Sequence, residues 1–203
     1  MRLTIRCAML LAALAAGTAH AQEGPVPDPD WPCIQRRQPS LSVGQVWGGP
    51  PPDEAAEAHA ADKDVKDLAH VIALRRTAMA DAQTMIADFA GTHDEPALVG
   101  LFLAVFEQIQ GQRNRVMAGI TRYAHQQEAL DARIKQRRQD FARLTEAEPP
   151  DFDAIDRVEE EIDWSTRIFQ DRQQSLTYVC ETPVILEQRI FALGRAIASH
   201  LPR

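Results

Sequence analysis

Between residues 120 and 179 the sequence is a palindrome of apolar positions centred on Pro149-Pro150. Steps of alternating three and four residues give a first arm of Ile120, Tyr123, Gln127, Leu130, Ile134, Arg137, Phe141 and Leu144. The second arm is Ile155, Val158, Ile162, Ser165, Phe169, Arg172, Leu176 and Val179. Such steps keep side chains on one face of an α-helix. Folded at the prolines, Leu144 meets Ile155, Ile134 meets Ser165 and Ile120 meets Val179, and each pair of residue numbers has the same sum. Two antiparallel helices in register about one turn require that arithmetic. The pattern therefore predicts a helical hairpin over 120–179 with its turn at 146–151 and a coiled-coil seam between its arms.

The hairpin also gives meaning to the charges. Asp156, Glu159, Glu160, Glu161 and Asp163 resemble a cation site in isolation, but the mirror sets them against Arg133, Lys135, Arg137 and Arg138. Opposite charges flanking an apolar seam fix orientation in a coiled coil, so a structural role is expected. Gln127, Arg137 and Arg172 lie in the seam itself, where polar residues specify register at a cost in stability, and Gln127 is expected to share a hydrogen bond with Arg172.

The N-terminus has a separate logic. Arg2 and Arg6 precede an apolar run from Cys7 to Ala16, and Ala19-His20-Ala21 gives a small-x-small ending before Gln22. These features predict a signal peptide over residues 1–21, removed on export. No later stretch reaches the roughly 20 apolar residues that span a bilayer, so no membrane insertion is expected. Beyond residue 21 only Cys33 and Cys180 remain, and in an oxidising compartment one disulfide is the expectation. Closing a loop of about 150 residues is worth roughly 5 kcal/mol in the chain-entropy picture. The signal segment removes two arginines and no acids, so the exported chain is more acidic than the formal −7 of the whole sequence. That charge argues against nucleic acid and anionic membranes as partners. An Ala- and Arg-rich composition suggests a GC-rich bacterial source and hence the periplasm.

Residues 22–52 contain most of the prolines, together with Trp31 and Trp47. Proline at this density excludes a helix and predicts an extended arm. Trp31, Ile34, Leu41, Val46 and Trp47 are expected to anchor it on the helices near Cys33, and Leu41–Trp47 alternates like one short strand with nothing to pair with. Residues 53–203 read as a single all-α domain. A first helix is expected from Asp53 to Ala90, capped by Asp53 and Gly91. A second starts at Asp94-Glu95-Pro96 and runs into the hairpin, with Gly111 and Gly119 as points of bending or close contact. The return helix is expected to end near Cys180, with Thr182-Pro183 opening a last segment. Wider apolar faces near Cys180 than near the turn predict a helical-bundle base from which the coiled coil projects.

Chemistry is harder to find. His59, His70, His93, His125 and His200 show no spacing that would place two on one metal, and no HExxH, GxSxG or Gly-rich phosphate loop is present. No metal, cofactor or catalytic residue is expected. The expectation is a non-enzymatic exported protein that acts by contact with an envelope protein as scaffold, adaptor or accessory subunit. The alternatives are a small-ligand or metal-binding periplasmic bundle, acting as sensor or carrier, and a periplasmic holdase-type chaperone. Helix one has a second apolar face, which leaves a homo-oligomer open.

Overall fold

The computed structural model describes residues 28–202, and the predicted signal peptide and first arm residues lie outside them. Among the described residues there are six α-helices and no strand: α1 Val43–Val46, α2 Glu54–Ala61, α3 Lys63–Ala73, α4 Met79–Ala90, α5 Glu95–Thr145 and α6 Phe152–Ala198. α5 and α6 are 51 and 47 residues long, so each spans more than 70 Å at about 1.5 Å per residue. They contact each other more than any other pair of helices, and the segment between them carries a cis Glu148–Pro149 peptide. Aspartates start the helices as their sequence positions imply. Asp53, Asp94 and Asp151 accept from the backbone N–H of Ala56, Ala97 and Ala154 at 2.9, 3.2 and 2.9 Å, each worth on the order of 1 kcal/mol.

The main core lies at one end of the molecule. Val65, Ile72, Ile86, Leu101, Phe102, Val105, Ile109, Leu186, Ile190, Leu193 and Ile197 form one buried cluster, contributed by α3, α4, the start of α5 and the end of α6. α2 lies against α5 at Gly100, where a Cβ would stand 2.7 Å from His59 Cβ and 2.8 Å from the Ala56 carbonyl. Gly111 and Gly119 make no such approach. A Cβ at Gly111 would meet nothing, one at Gly119 would meet only the end of Arg122, and α5 runs through both without a break.

Three expectations about helix boundaries need correction. The single helix expected over 53–90 is divided into α2, α3 and α4, with extended backbone at Asp62 and Leu74. At the second break Arg189 of α6 donates to the carbonyls of Ile72 and Thr77 at 2.6 and 2.8 Å, while Thr77 Oγ1 donates to Val71 O at 2.7 Å. These bonds satisfy the carbonyls that a continuing helix would have used. Next, α6 does not stop at Thr182-Pro183 but continues through Pro183 to Ala198. Proline removes only the one hydrogen bond its N–H would make, to Val179 O, and continuing keeps Cys180, Pro183, Leu186 and Ile190 buried along one side. Finally, the residues read as a strand contain α1, a single turn. Gln45 Oε1 accepts from the Ser42 N–H at 2.8 Å and the Gln45 N–H bonds back to Ser42 O at 3.1 Å, a local solution for a segment with no strand to pair with.

Candidate functional site

The arm is bound to the bundle at several points. Cys33 and Cys180 are joined in a disulfide, with Cα atoms 5.6 Å apart, across a sequence separation of 147. Such a bond fits an oxidising environment outside the cytoplasm. Trp31 packs with Met117 and Ile120 beside Cys33 and donates from Nε1 to Gln35 O at 2.6 Å. Trp47 stacks on Phe102 at 4.2 Å and donates to Pro50 O at 2.7 Å. Val46 is buried and Leu41 packs on the main core, whereas Ile34, expected to dock, is fully exposed at 103%. It sits next to the disulfided Cys33, and bridging Cys33 to α6 turns its neighbour outward.

Polar groups complete the attachment. Arg113 is 1% exposed, donates from Nε to Glu187 Oε1 at 2.7 Å, and donates to the carbonyls of Pro39 and Gln38. One guanidinium thus ties arm, α5 and α6 together. His125 Nε2 lies 2.6 Å from Asp30 Oδ1, and Thr121 Oγ1 donates to Asp30 O at 3.1 Å. Arg37 donates to Asp28 at 3.0 Å, and this bond holds the Asp28 carboxyl below its usual range.

Beyond that junction, among the described residues, the two long helices have only each other. Past Ile120, α5 buries only Ala124 and Ile134, and α6 buries nothing before Cys180. Tyr123, Gln127, Leu130, Arg137, Phe141, Leu144, Ile155, Val158, Ile162, Ser165, Phe169, Arg172 and Leu176 are all half-buried. Val179 is 39% exposed, and the inward position belongs to Cys180, 5% exposed, one residue further on. The step from Leu176 becomes a four instead of a three, which turns the thiol toward Cys33. Bonds between the arms fall within about one turn of the mirror register. Tyr123 donates its hydroxyl to Arg172 O, Gln127 Nε2 donates to Phe169 O at 3.2 Å, and Arg137 Nε lies 3.5 Å from Glu161 Oε2. Gln127 therefore bonds the Phe169 backbone rather than the Arg172 side chain, and burial raises the Tyr123 pKa.

The charge pattern departs from expectation. Among the described residues, only Glu161 of the acidic run 156–163 meets a basic side chain. Lys135 pairs with Asp131 at 2.7 Å and Arg137 with Asp140 at 3.4 Å, both within α5. Partners three or four residues away on the same helix are already in place, so they take bases that the mirror alone assigned to α6. Hydrogen bonds from Gln136 and then Arg143 hold the Asp140 carboxyl below its usual range. The outer face of α6 is left acidic, with Trp164 and Phe152 exposed on the same stretch of hairpin.

The histidines are scattered rather than gathered. His59 lies 3.1 Å from Asp62, His70 bonds Gln108 at 3.2 Å, His93 stacks on Phe89 at 3.8 Å, and His200 is exposed at the end of α6. Among the described residues no three His, Cys, Asp or Glu are grouped to hold a metal ion, and no helix is long and apolar enough to cross a membrane. Open clefts exist where the arm crosses the helices. One of about 330 Å³ is bordered by Pro29, Pro32, Tyr123, Gln127, Phe169 and Leu176, and another of about 530 Å³ by Leu41, Val46, Val184 and Phe191. Sequence reasoning missed both arginine clamps. Arg113 had a signal, since it stands on the three-four step between Ile109 and Val116, where an apolar residue is expected. Arg189 had none.

No protein-family model, curated protein or solved structure matches this chain.

Proposed function

We propose that this chain is an exported, periplasmic, non-enzymatic protein that works by protein contact, as a scaffold, adaptor or accessory subunit of the cell envelope. In this reading the bundle and the stapled arm form a stable base, and the distal hairpin is a coiled coil that presents the contact surface. The observation that carries the proposal is the condition of that hairpin. For about 30 Å beyond the base its seam is mostly half-buried, only Glu161 of the acidic run on α6 meets a base among the described residues, and Phe152 and Trp164 are exposed. A helix pair that stabilises itself so sparingly while exposing aromatic side chains is suited to being covered by another protein.

A crosslinking scan in the native envelope tests this. A photoreactive residue is placed in turn at Phe152, Glu159 and Trp164 on the hairpin and at Glu57 and Gln83 on the base. The proposal expects a discrete crosslinked species from the hairpin positions and none from the base. Crosslinks confined to the base, or absent from every position, would remove the hairpin from its assigned role.

A further inference from the structure

The turn between α3 and α4, residues 74–78, carries a chemistry that neither the core nor the hairpin uses. Its apex is Arg75-Arg76, both exposed, and among the described residues neither stands within ion-pair distance of an acid. Of the lysines and arginines among the described residues, only Arg36, Arg37, Arg75 and Arg76 lie outside the helices. A protease needs its substrate extended across the cut, and a helix keeps that backbone bonded to itself. The two arginine pairs differ in how the chain around them is held. At Arg36-Arg37 the Gln35 carbonyl accepts from Trp31, Arg37 pairs with Asp28 at 3.0 Å, and the Gln38 and Pro39 carbonyls accept from buried Arg113. At Arg75-Arg76 the bonds fall to either side, where Ile72 O and Thr77 O accept from Arg189 and the Thr77 N–H reaches Leu74 O at 3.1 Å. Among the described residues Arg75 and Arg76 make no backbone bond themselves. The helix that follows also opens cheaply. α2, α5 and α6 each begin with an aspartate that accepts from the backbone, whereas α4 begins after Ala78 with no side-chain cap.

We propose that this turn is a processing site for a trypsin-like protease, whose acidic specificity pocket takes an arginine side chain, and that cleavage yields a stable two-chain protein. Water adds across the peptide bond after Arg75 or Arg76, its hydroxyl joining the arginine carbonyl carbon and its hydrogen the nitrogen that leaves. The fold keeps the two pieces together. Cys33 precedes the cut and Cys180 follows it, so the disulfide joins the new chains covalently. Arg189 bridges them a second time, since Ile72 lies before the cut and Thr77 after it. The main core also draws on both pieces, with Val65, Ala69 and Ile72 from one packed among Leu101, Ile190 and Leu193 from the other. Cleavage therefore severs the α3–α4 link without releasing a fragment.

Limited digestion of the purified, oxidised full chain with trypsin tests the inference. The first cut should fall after Arg75 or Arg76, giving a product that migrates as one species without reductant and as two with it, and peptide mass mapping should assign both new ends to this turn. The cut protein should elute with the uncut chain on gel filtration and still unfold cooperatively. Arg75→Gln combined with Arg76→Gln should slow that first cut about tenfold or more, because the protease's acidic pocket loses its guanidinium. The same double variant should melt as the wild type does, since neither side chain has a protein partner to lose. Mass mapping of the protein recovered from the native envelope should find the same two ends. A first cut at Arg36-Arg37 or within a helix would overturn the inference, as would fragments that part without reductant or a native protein intact at this turn.

Discussion

Arg113 and Glu187 are 74 residues apart in sequence and meet at 2.7 Å between α5 and α6, with the guanidinium almost fully buried and the carboxylate partly exposed. Because the same guanidinium also donates to the carbonyls of Gln38 and Pro39, it joins three segments that the sequence keeps far apart. Removing it should therefore cost more than removing its carboxylate. Arg113→Ala leaves two backbone carbonyls and Glu187 without a donor and opens a cavity, a loss on the order of 3 kcal/mol. Glu187→Gln keeps a hydrogen-bond acceptor in reach and should cost about 1 kcal/mol. Urea unfolding of the two variants gives the comparison, and equal losses would mean that the carbonyl bonds to the arm contribute little.

Two glycines in the same helix should respond in opposite directions. At Gly100 a methyl group would meet the backbone of α2, so Gly100→Ala should destabilise by about 1–3 kcal/mol as α2 is forced away. At Gly111 a methyl group meets nothing, and Gly111→Ala should stabilise by about 0.5–1 kcal/mol through helix propensity alone. Thermal melts measure both, and a stabilised Gly100→Ala variant would contradict the close crossing of α2 over α5.

The disulfide should act on the arm more than on the bundle. Replacing Cys33 and Cys180 with serine frees a loop of about 147 residues and should lower stability by about 2–4 kcal/mol. With the staple gone, amide hydrogen exchange should quicken around Trp31, while Leu101 and Ile190 in the main core stay protected. Uniform deprotection of both regions would show that the arm is integral to the core.

Acid should loosen the start of the arm. Bonds from Arg37 and from the backbone N–H of Asp30 lower the Asp28 pKa below 3.8. A carboxylate with a depressed folded-state pKa contributes stability that is present above its unfolded value and is lost as pH falls through the folded one. Carbon-detected NMR titration should therefore place Asp28 below 3.8, and Arg37→Gln should move it upward. An unchanged titration in that variant would exclude the Arg37 bond as the cause.

The legible parts of this fold were those governed by repetition. The three-four step picks out residues from Tyr123 to Leu176 that are half-buried or buried in the folded chain, and the two cysteines beyond the expected signal peptide are joined. The divisions at Asp62 and Leu74 were not legible, because no proline or glycine marks them and the bonds that favour the second come from Arg189, more than a hundred residues later. Pro183 misled in the opposite direction, since a proline ends a helix by rule unless burial on both sides outweighs one lost bond. The acidic face of α6 was misread for a similar reason. The mirror shows which residues can face each other, but Asp131 and Asp140 already supply Lys135 and Arg137 with partners on their own helix. Trp164 and Tyr178 lie among charged residues, and their exposure is seen only in the folded chain.

The central claim, that the distal hairpin is the contact surface on an independently stable base, is tested most directly by shortening both arms equally. Excising residues 127–140 together with 159–172 removes two heptads from each arm, preserves the mirror register about Pro149-Pro150 and keeps the Cys33–Cys180 staple. The account predicts a chain that unfolds cooperatively with its disulfide formed, and that no longer yields the crosslinked envelope species expected from Phe152 in the intact protein. Recovery of the same species at undiminished yield from the shortened chain would contradict it.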